Sequence, residues 1–281
     1  MARTVPTRAR ARARALAVAG AVVVLVVGVA GCGASAEDDK DPEHRSFALA
    51  GRTLTVDSDD SALEIVATDR GETGTVEVTR WFQGSVAVGS DPEVTWEMKD
   101  DRLVLREKCS GMIANCSAKH RIEVPHGITV RVEDGDGSVR ARGFRDALSV
   151  RTGDGSVHVT DSTGPLDLRT GDGSVRVSDA EGPLKLESGD GSLRVFDVTS
   201  RQVRATTRDG SVSLELGRVP DLVDARTGDG AVSIDLPRAT YKVTAETGDG
   251  AVDVSVPRSD TSRHVVSVHT GDGAVSVDTA N

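Results

Sequence analysis

The triplet Gly-Asp-Gly returns at residues 135, 153, 171, 189, 228, 248 and 271, counted at its first glycine, and a degenerate copy, Arg208-Asp209-Gly210, bridges the gap after the fourth. Successive steps are 18, 18, 18, 19, 20, 20 and 23 residues. A near-fixed period of this length points to repeat architectures, in which each unit buries its apolar face only against its neighbours. The flanks alternate with period two: Leu148, Val150, Thr152 before one triplet and Val157, Val159 after it, then Leu166, Leu168, Thr170 with Val175, Val177, and Leu184, Leu186, Ser188 with Leu193, Val195. Later copies keep Val212, Leu214; Val232, Ile234; Val252, Val254; and Val275, Val277. Period two means strands. A second punctuation, such as Asp161-Ser162-Thr163-Gly164-Pro165 or Asp179-Ala180-Glu181-Gly182-Pro183, closes each unit, so two strands and two turns fill about 18 residues.

Identical units stacked one strand spacing apart cover one another, and the expected fold is all-β, a solenoid-like stack of about eight units of 18–23 residues. A meandering antiparallel sandwich with a hairpin at each Gly-Asp-Gly is the rival, because Asp-Gly also favours hairpin turns. Seven aromatics (Phe 4, Trp 2, Tyr 1) in 281 residues suit the narrow core of a solenoid. Between residues 46 and 127 the repeat blurs but strand patterns persist, as in Leu54-Thr55-Val56 and Leu103-Val104-Leu105, and both tryptophans, Trp81 and Trp96, lie there. This region is expected to cap the repeat domain of residues 128–281.

Arg3, Arg8, Arg10, Arg12 and Arg14 precede an uncharged run from Ala15 to Ala30 that ends in Val29-Ala30-Gly31-Cys32. A positive segment, an apolar segment too short to span a bilayer and small residues before a cysteine resemble a bacterial lipobox, in which the cysteine is acylated and the chain is cut before it. The alternative is an uncleaved anchor helix. The expectation is a signal peptide over 1–31, a lipid on Cys32 that holds the chain to the membrane, and an extracytoplasmic location. Residues 32–45 (CGASAEDDKDPEHR) are small and acidic without periodicity, which predicts a flexible tether. Loss of five arginines and no acid with residues 1–31 takes the formal charge from -10 to -15. That excludes a nucleic-acid binder, which needs a basic footprint.

Cys109 and Cys116 remain, with six residues between them in an oxidising exterior, and a disulfide is expected. A metal site with His120 as a third ligand is the alternative, although the spacing matches no common zinc pattern.

Ile122-Glu123-Val124-Pro125, leading into Val130-Arg131-Val132 and then repeated Thr/Ser-Gly-Asp-Gly-(Ser/Ala)-Val units, resembles the bacterial putative-adhesin family of β-strand-repeat domains over roughly residues 47–279. The resemblance implies an exported β-solenoid-like domain and brings no catalytic motif with it.

Two columns of side chains carry candidate chemistry. Stacked units align Asp136, Asp154, Asp172 and Asp190, continued by Asp209, Asp229, Asp249 and Asp272, along one edge. Calcium is the possible cofactor there, but one carboxylate per unit is thin for an ion that takes six to eight oxygens, and Asp between glycines also simply makes a tight turn. The second column is outward and basic: Arg140, His158, Arg176 and Arg194, followed by Ser213, Ser233, Asp253 and Ser276. Such a row suits an anionic polymer, against the alternative of ordinary solvated surface with Arg paired to neighbouring acids. The six histidines are scattered without a catalytic or metal-binding motif, and no enzyme is expected. The reading is a lipid-anchored surface module that binds an envelope polymer or a surface protein. An accessory of envelope-stress signalling that binds a protein partner and a calcium-stabilised structural module are the alternatives.

Overall fold

The computed structural model describes residues 35–69 and 74–280; the leader and Cys32 lie outside the described residues. After a single 3-10 turn (Ala36–Asp38) come β1 (Glu43–Ala48), β2 (Thr53–Ser58), β3 (Ala62–Thr68), β4 (Thr75–Val86), β5 (Glu93–Lys99), β6 (Arg102–Lys108) and β7 (Ala114–Pro125). The repeats supply β8 (Thr129–Asp134), β9 (Val139–Arg142), β10 (Leu148–Thr152), β11 (Val157–Ser162), β12 (Leu166–Thr170), β13 (Val175–Ala180), β14 (Leu184–Ser188) and β15 (Leu193–Val198). They continue with β16 (Gln202–Thr206), β17 (Val212–Leu216), β18 (Leu222–Arg226), β19 (Val232–Leu236), β20 (Lys242–Thr247), β21 (Val252–Val254), β22 (Val265–Thr270) and β23 (Val275–Thr279). No helix among the described residues is long and apolar enough to cross a membrane.

The two strands around each Gly-Asp-Gly do not pair with each other. β10 pairs in parallel with β8 and β12, and β11 with β9 and β13. Each triplet is therefore an arc between two sheets, and the fold is the solenoid rather than the meander. The sheets run β1-β4-β7-β3-β9-β11-β13-β15-β17-β19-β23-β21 and β20-β22-β18-β16-β14-β12-β10-β8-β2-β6-β5; we call them sheet A and sheet B. Their inward columns are the alternating residues of the sequence: Leu148, Leu166, Leu184, Val203, Val223 and Val266 align in sheet B, and Val157, Val175, Leu193, Val212, Val232 and Val275 in sheet A, all buried. Volume is traded within a rung. Where sheet B narrows to Ala205 and Ala225, the same rungs carry Leu214 and Ile234 in sheet A, which keeps the core filled.

The spatial order is not the sequence order. The last coil, β22–β23, lies between β18–β19 and β20–β21, so the rung read as seventh in sequence ends the stack. At the other end β2–β3 forms a further rung, turned by Asp59-Asp60, and β6–β7 forms another, in which the disulfide loop replaces the Gly-Asp-Gly arc. Ten rungs at ~4.8 Å give a stack of about 43 Å. Antiparallel β5, β4 and β1 close the disulfide end, as expected of a cap. The flexible tether is not what the described residues show. Ala36 is buried and its N–H donates to Ser117 Oγ, Glu37 pairs with Lys119 at 2.9 Å, and Asp39 accepts from the Phe82 N–H, so the segment docks on the cap from Ala36 onward. Acid–base pairing and one small apolar residue supply the contacts that a lack of periodicity hides.

The arcs touch more closely than ordinary residues allow. A Cβ at Gly173 would lie 2.1 Å from the carbonyl oxygen of Gly155 on the preceding rung, and one at Gly155 1.9 Å from that of Gly137. At the opposite corner Asp161, Asp179 and Asp197 adopt positive φ of 53°, 52° and 53° in register, a conformation that Asp tolerates better than most non-glycine residues. The Thr or Ser before every triplet but the first adds a hydroxyl ladder. Thr170 Oγ1 donates to Gly155 O at 3.0 Å and accepts from its own Gly173 N–H at 3.1 Å, and Ser188, Thr207, Thr227, Thr270 and Thr247 repeat both bonds on their rungs.

Asp134 occupies this column one rung before Thr152, and Ser58 one rung before that. Its carboxyl is nine-tenths buried, and neither oxygen has a hydrogen-bond partner. Burial pushes its pKa up to about 7, and the carboxylates of Asp60, Asp136 and Asp59 raise it further. Under the cap, His120 is fully buried against Trp96 with both ring nitrogens unpartnered, and burial, reinforced by Arg80, lowers its pKa to about 4.

The two groups act on stability with opposite signs. Asp134 keeps its proton in the fold to about 7, whereas the ordinary value is 3.8, so its contribution is present at low pH and lost as pH rises through that window. His120 refuses until about 4 a proton that the unfolded chain takes near 6.5, so its contribution is lost as pH falls between those values. Asp134→Thr, which restores the column's donor, is expected to stabilise the chain at pH 8 by about 1–3 kcal/mol and to leave it little changed at pH 4, measured by urea unfolding at both pH values. In the same assay Gly173→Ala should cost about 1–3 kcal/mol, while Gly217→Ala, where the nearest atom to a new Cβ is 3.6 Å away, should stay near neutral.

Candidate functional site

The basic column of the sequence is one physical ladder. His158 lies in register with Arg140 on one side and Arg176 on the other, and Arg176 with Arg194, on the outward face of β9, β11, β13 and β15. The three arginines are exposed and His158 is half-buried. The rung-to-rung register forces the alignment, since the 18-residue period returns the same strand position at each step. Arg176 and Arg194 follow one another at ~4.8 Å, where unit charges repel by about 1 kcal/mol even at the dielectric of water, and His158 separates Arg176 from Arg140.

None of Arg140, Arg176 and Arg194 has a carboxylate partner among the described residues. Glu64 precedes Arg140 in the column, yet its carboxylate pairs with Arg121 at 3.6 Å and Arg142 at 3.5 Å. Arg176 lies over the Phe196 ring at 5.5 Å, a contact that steers the guanidinium without neutralising it. A shallow pocket of about 160 Å³ opens at the start of the ladder, lined by Glu64, Arg140, Ala141, Arg142, His158 and Thr160. Burial, followed by the charges of Arg176 and Arg140, holds His158 below its ordinary pKa. Beyond Arg194 the column continues as Ser213, Ser233, Ser276 and Asp253, in that spatial order.

Sheet B presents the contrast. Its outward columns mix acids with bases, and Arg102 pairs with Asp57 and Glu133, Arg169 with Asp167 and Glu187, Lys185 with Glu187, and Arg226 with Asp224. A groove of about 540 Å³ runs past its Pro165 and Pro183 corners, and Arg131, Arg151, Lys185 and Arg204 line it together with Glu133 and Asp167.

The aspartates Asp136, Asp154, Asp172 and Asp190 are also in one exposed column, at the arcs. Asp136 Oδ1 accepts from the Asp154 N–H at 3.3 Å, and Asp190 pairs with Arg208, which stands where the degenerate triplet lacks its first glycine. Among the described residues no group of three His, Cys, Asp or Glu is arranged to hold a metal ion. Cys109 and Cys116 form a disulfide, and His120 lies in the core away from solvent. The sequence reading missed three features: the Thr/Ser hydroxyl ladder, the Glu64–Arg142 pair beside the basic column, and Phe196 under Arg176. The hydroxyl ladder had a signal, since a Thr or Ser precedes every complete triplet but the first.

Residues 34–280 match the family described as Toastrack DUF4097. The chain belongs to that family. This agrees with the resemblance carried by its repeats, and the solenoid-like fold is that of a Toastrack domain. The chain is similar in fold to a crystal structure of a putative adhesin (BF0245) from Bacteroides fragilis NCTC 9343, at 13% identity and TM-score 0.51 over 88% of this chain and 100% of that one. It is also similar to a putative lipid binding protein from Parabacteroides distasonis ATCC 8503, at 12% identity and TM-score 0.50 over 88% and 99% of the two chains. No curated protein matches this Toastrack chain.

His158 reports on the ladder. Its imidazole is expected to titrate below the ordinary histidine value, and Arg140→Ser with Arg176→Ser should move it upward, because two like charges are removed while burial remains; NMR titration of the ring protons checks both.

Proposed function

We propose that this Toastrack protein is a non-enzymatic, lipid-anchored surface module that grips a linear anionic polymer of the cell envelope along the Arg140–His158–Arg176–Arg194 ladder. The observation that carries the proposal is that three guanidiniums stand on one sheet face without carboxylate partners and with no acid between them, in a chain whose other sheet face interleaves acids with bases. A row of like charges at strand spacing is relieved by a polyanion laid along the stack axis, and Arg binds phosphate or carboxylate through two parallel donors. The adhesin and lipid-binding names of proteins with this fold support a role at a surface in general. The lipobox-like Val29-Ala30-Gly31-Cys32 supports attachment through Cys32 and an extracytoplasmic location.

The Arg140→Ser, Arg176→Ser, Arg194→Ser triple variant is expected to lose at least tenfold in affinity for poly(glycerol phosphate) or polygalacturonate in co-sedimentation. The wild-type affinity should fall steeply with salt, and the melting temperature of the variant should be unchanged. Undiminished polymer retention by the folded variant would remove the ladder from the function, and retention of a surface protein instead would favour a protein partner. Metabolic labelling with an alkyne fatty acid tests the anchor: the label should be present in the wild type and absent from Cys32→Ala.

A further inference from the structure

Large exposed apolar side chains cluster at one place in the cap. Val88 is 60% exposed, Met112 85% and Ile113 71%. They share one tip. The Ala87 N–H donates to Ile113 O at 2.9 Å, the Met112 N–H donates to Val88 O at 2.8 Å, and Gly89 bridges Gly111, so the β4–β7 ladder continues into the loop closed by Cys109–Cys116. Gly84–Ser90 (GSVAVGS) and Ser110–Asn115 (SGMIAN) contain no charged residue in a chain of formal charge -10. A stapled, uncharged tip with three bare apolar side chains is not how a solvated β-turn is ordinarily composed.

Covalent geometry identifies what covers it. Ala36 is held at Ser117, and Cys32 is four residues before it, a reach of at most about 14 Å. Ser117 lies on β7, which begins one residue after Ile113, and is four residues and about 14 Å from it. A lipid on Cys32 therefore keeps the bilayer surface within reach of this tip, whereas the β20–β21 end of the stack lies about 43 Å off along its axis. We infer that Val88, Met112 and Ile113 insert into the membrane interface beside the lipid on Cys32, so that the disulfide loop is a second membrane contact that fixes how the solenoid stands on the surface. The inference rests on the lipid-anchor reading. The occupant is the acyl–headgroup boundary, into which a small apolar tip sinks by a few ångströms.

The test uses the full chain, expressed with its own leader, purified in detergent and reconstituted into vesicles of phosphatidylglycerol and phosphatidylethanolamine. A nitroxide is placed on Val88→Cys, or for reference on Ser233→Cys in the middle of the stack. The fatty-acid label reports the anchor separately from the tip. In labelled protein the Val88 probe should be at least fivefold more accessible to oxygen than to an aqueous nickel chelate, relative to the Ser233 probe. Met112→Ser with Ile113→Ser should abolish that difference while leaving the fatty-acid label and the melting temperature intact. Equal accessibility at both positions in acylated protein overturns the insertion and spares the anchor. Shielding that persists in the Met112→Ser, Ile113→Ser variant, or that occurs in native envelopes but not in vesicles of pure lipid, overturns it in favour of a protein cover. Absence of the fatty-acid label overturns the anchor reading itself.

Discussion

The close approach of successive arcs is the constraint on which the rest of this structure depends. Rungs must meet at strand spacing on both sheets, and at the turn this brings the second glycine of one triplet almost onto the carbonyl of the preceding one, as at Gly155 against Gly137 and Gly173 against Gly155. Only glycine fits, and the freed space is used by hydrogen bonds. The Thr or Ser before the triplet ties its own turn to the rung below, so each rung is clamped at the arc and filled by two apolar positions per sheet. Departures occur where the neighbour differs. Arg208 replaces a first glycine, and the disulfide loop replaces a whole arc at the capped end.

The same register organises the surface. Because every rung repeats the same strand position, a residue choice made once per unit becomes a continuous column, and its electrostatics are collective. In sheet B acids and bases are mixed, and several cancel locally. In sheet A four consecutive choices are basic and do not cancel, and Glu64 is diverted to Arg121 and Arg142. Asp134 shows the cost of one departure: a carboxyl in a column built for hydroxyls is left without partners and holds its proton to about 7.

Much of this is legible in the amino-acid sequence. The inward columns, the two-turn unit and the basic ladder follow from period and spacing, because parallel stacking maps position i onto its equivalent one unit later, and the Cys109–Cys116 pair follows from the cysteine count in an oxidising exterior. What was not legible depends on contacts between segments distant in sequence. Residues 36–41 carry no periodicity, yet Ala36 is buried, and one salt bridge and two hydrogen bonds to β4 and β7 dock them. The hydroxyl of Thr170 reads as one more alternating residue until the carbonyl of Gly155 is placed beneath it. Glu64 belongs to a region where the repeat is blurred, so its position beside Arg140 emerges only when β3 pairs with β9.

The sequence by itself determined the rung: alternating Val and Leu set two strand faces, Gly-Asp-Gly set an arc with no room for a Cβ, and the period set which side chains align. Tertiary structure alone decided the order of the rungs. Val266, Val268, Val275 and Val277 of the last coil are fully buried inside the stack, while the preceding coil, with Val243, Ala245 and Val254 only partly covered and Val252 45% exposed, is left at the end. Both orders satisfy every local pattern, and the one adopted places the better-filled rung where two neighbours cover it, a comparison that exists only between rungs and never within one.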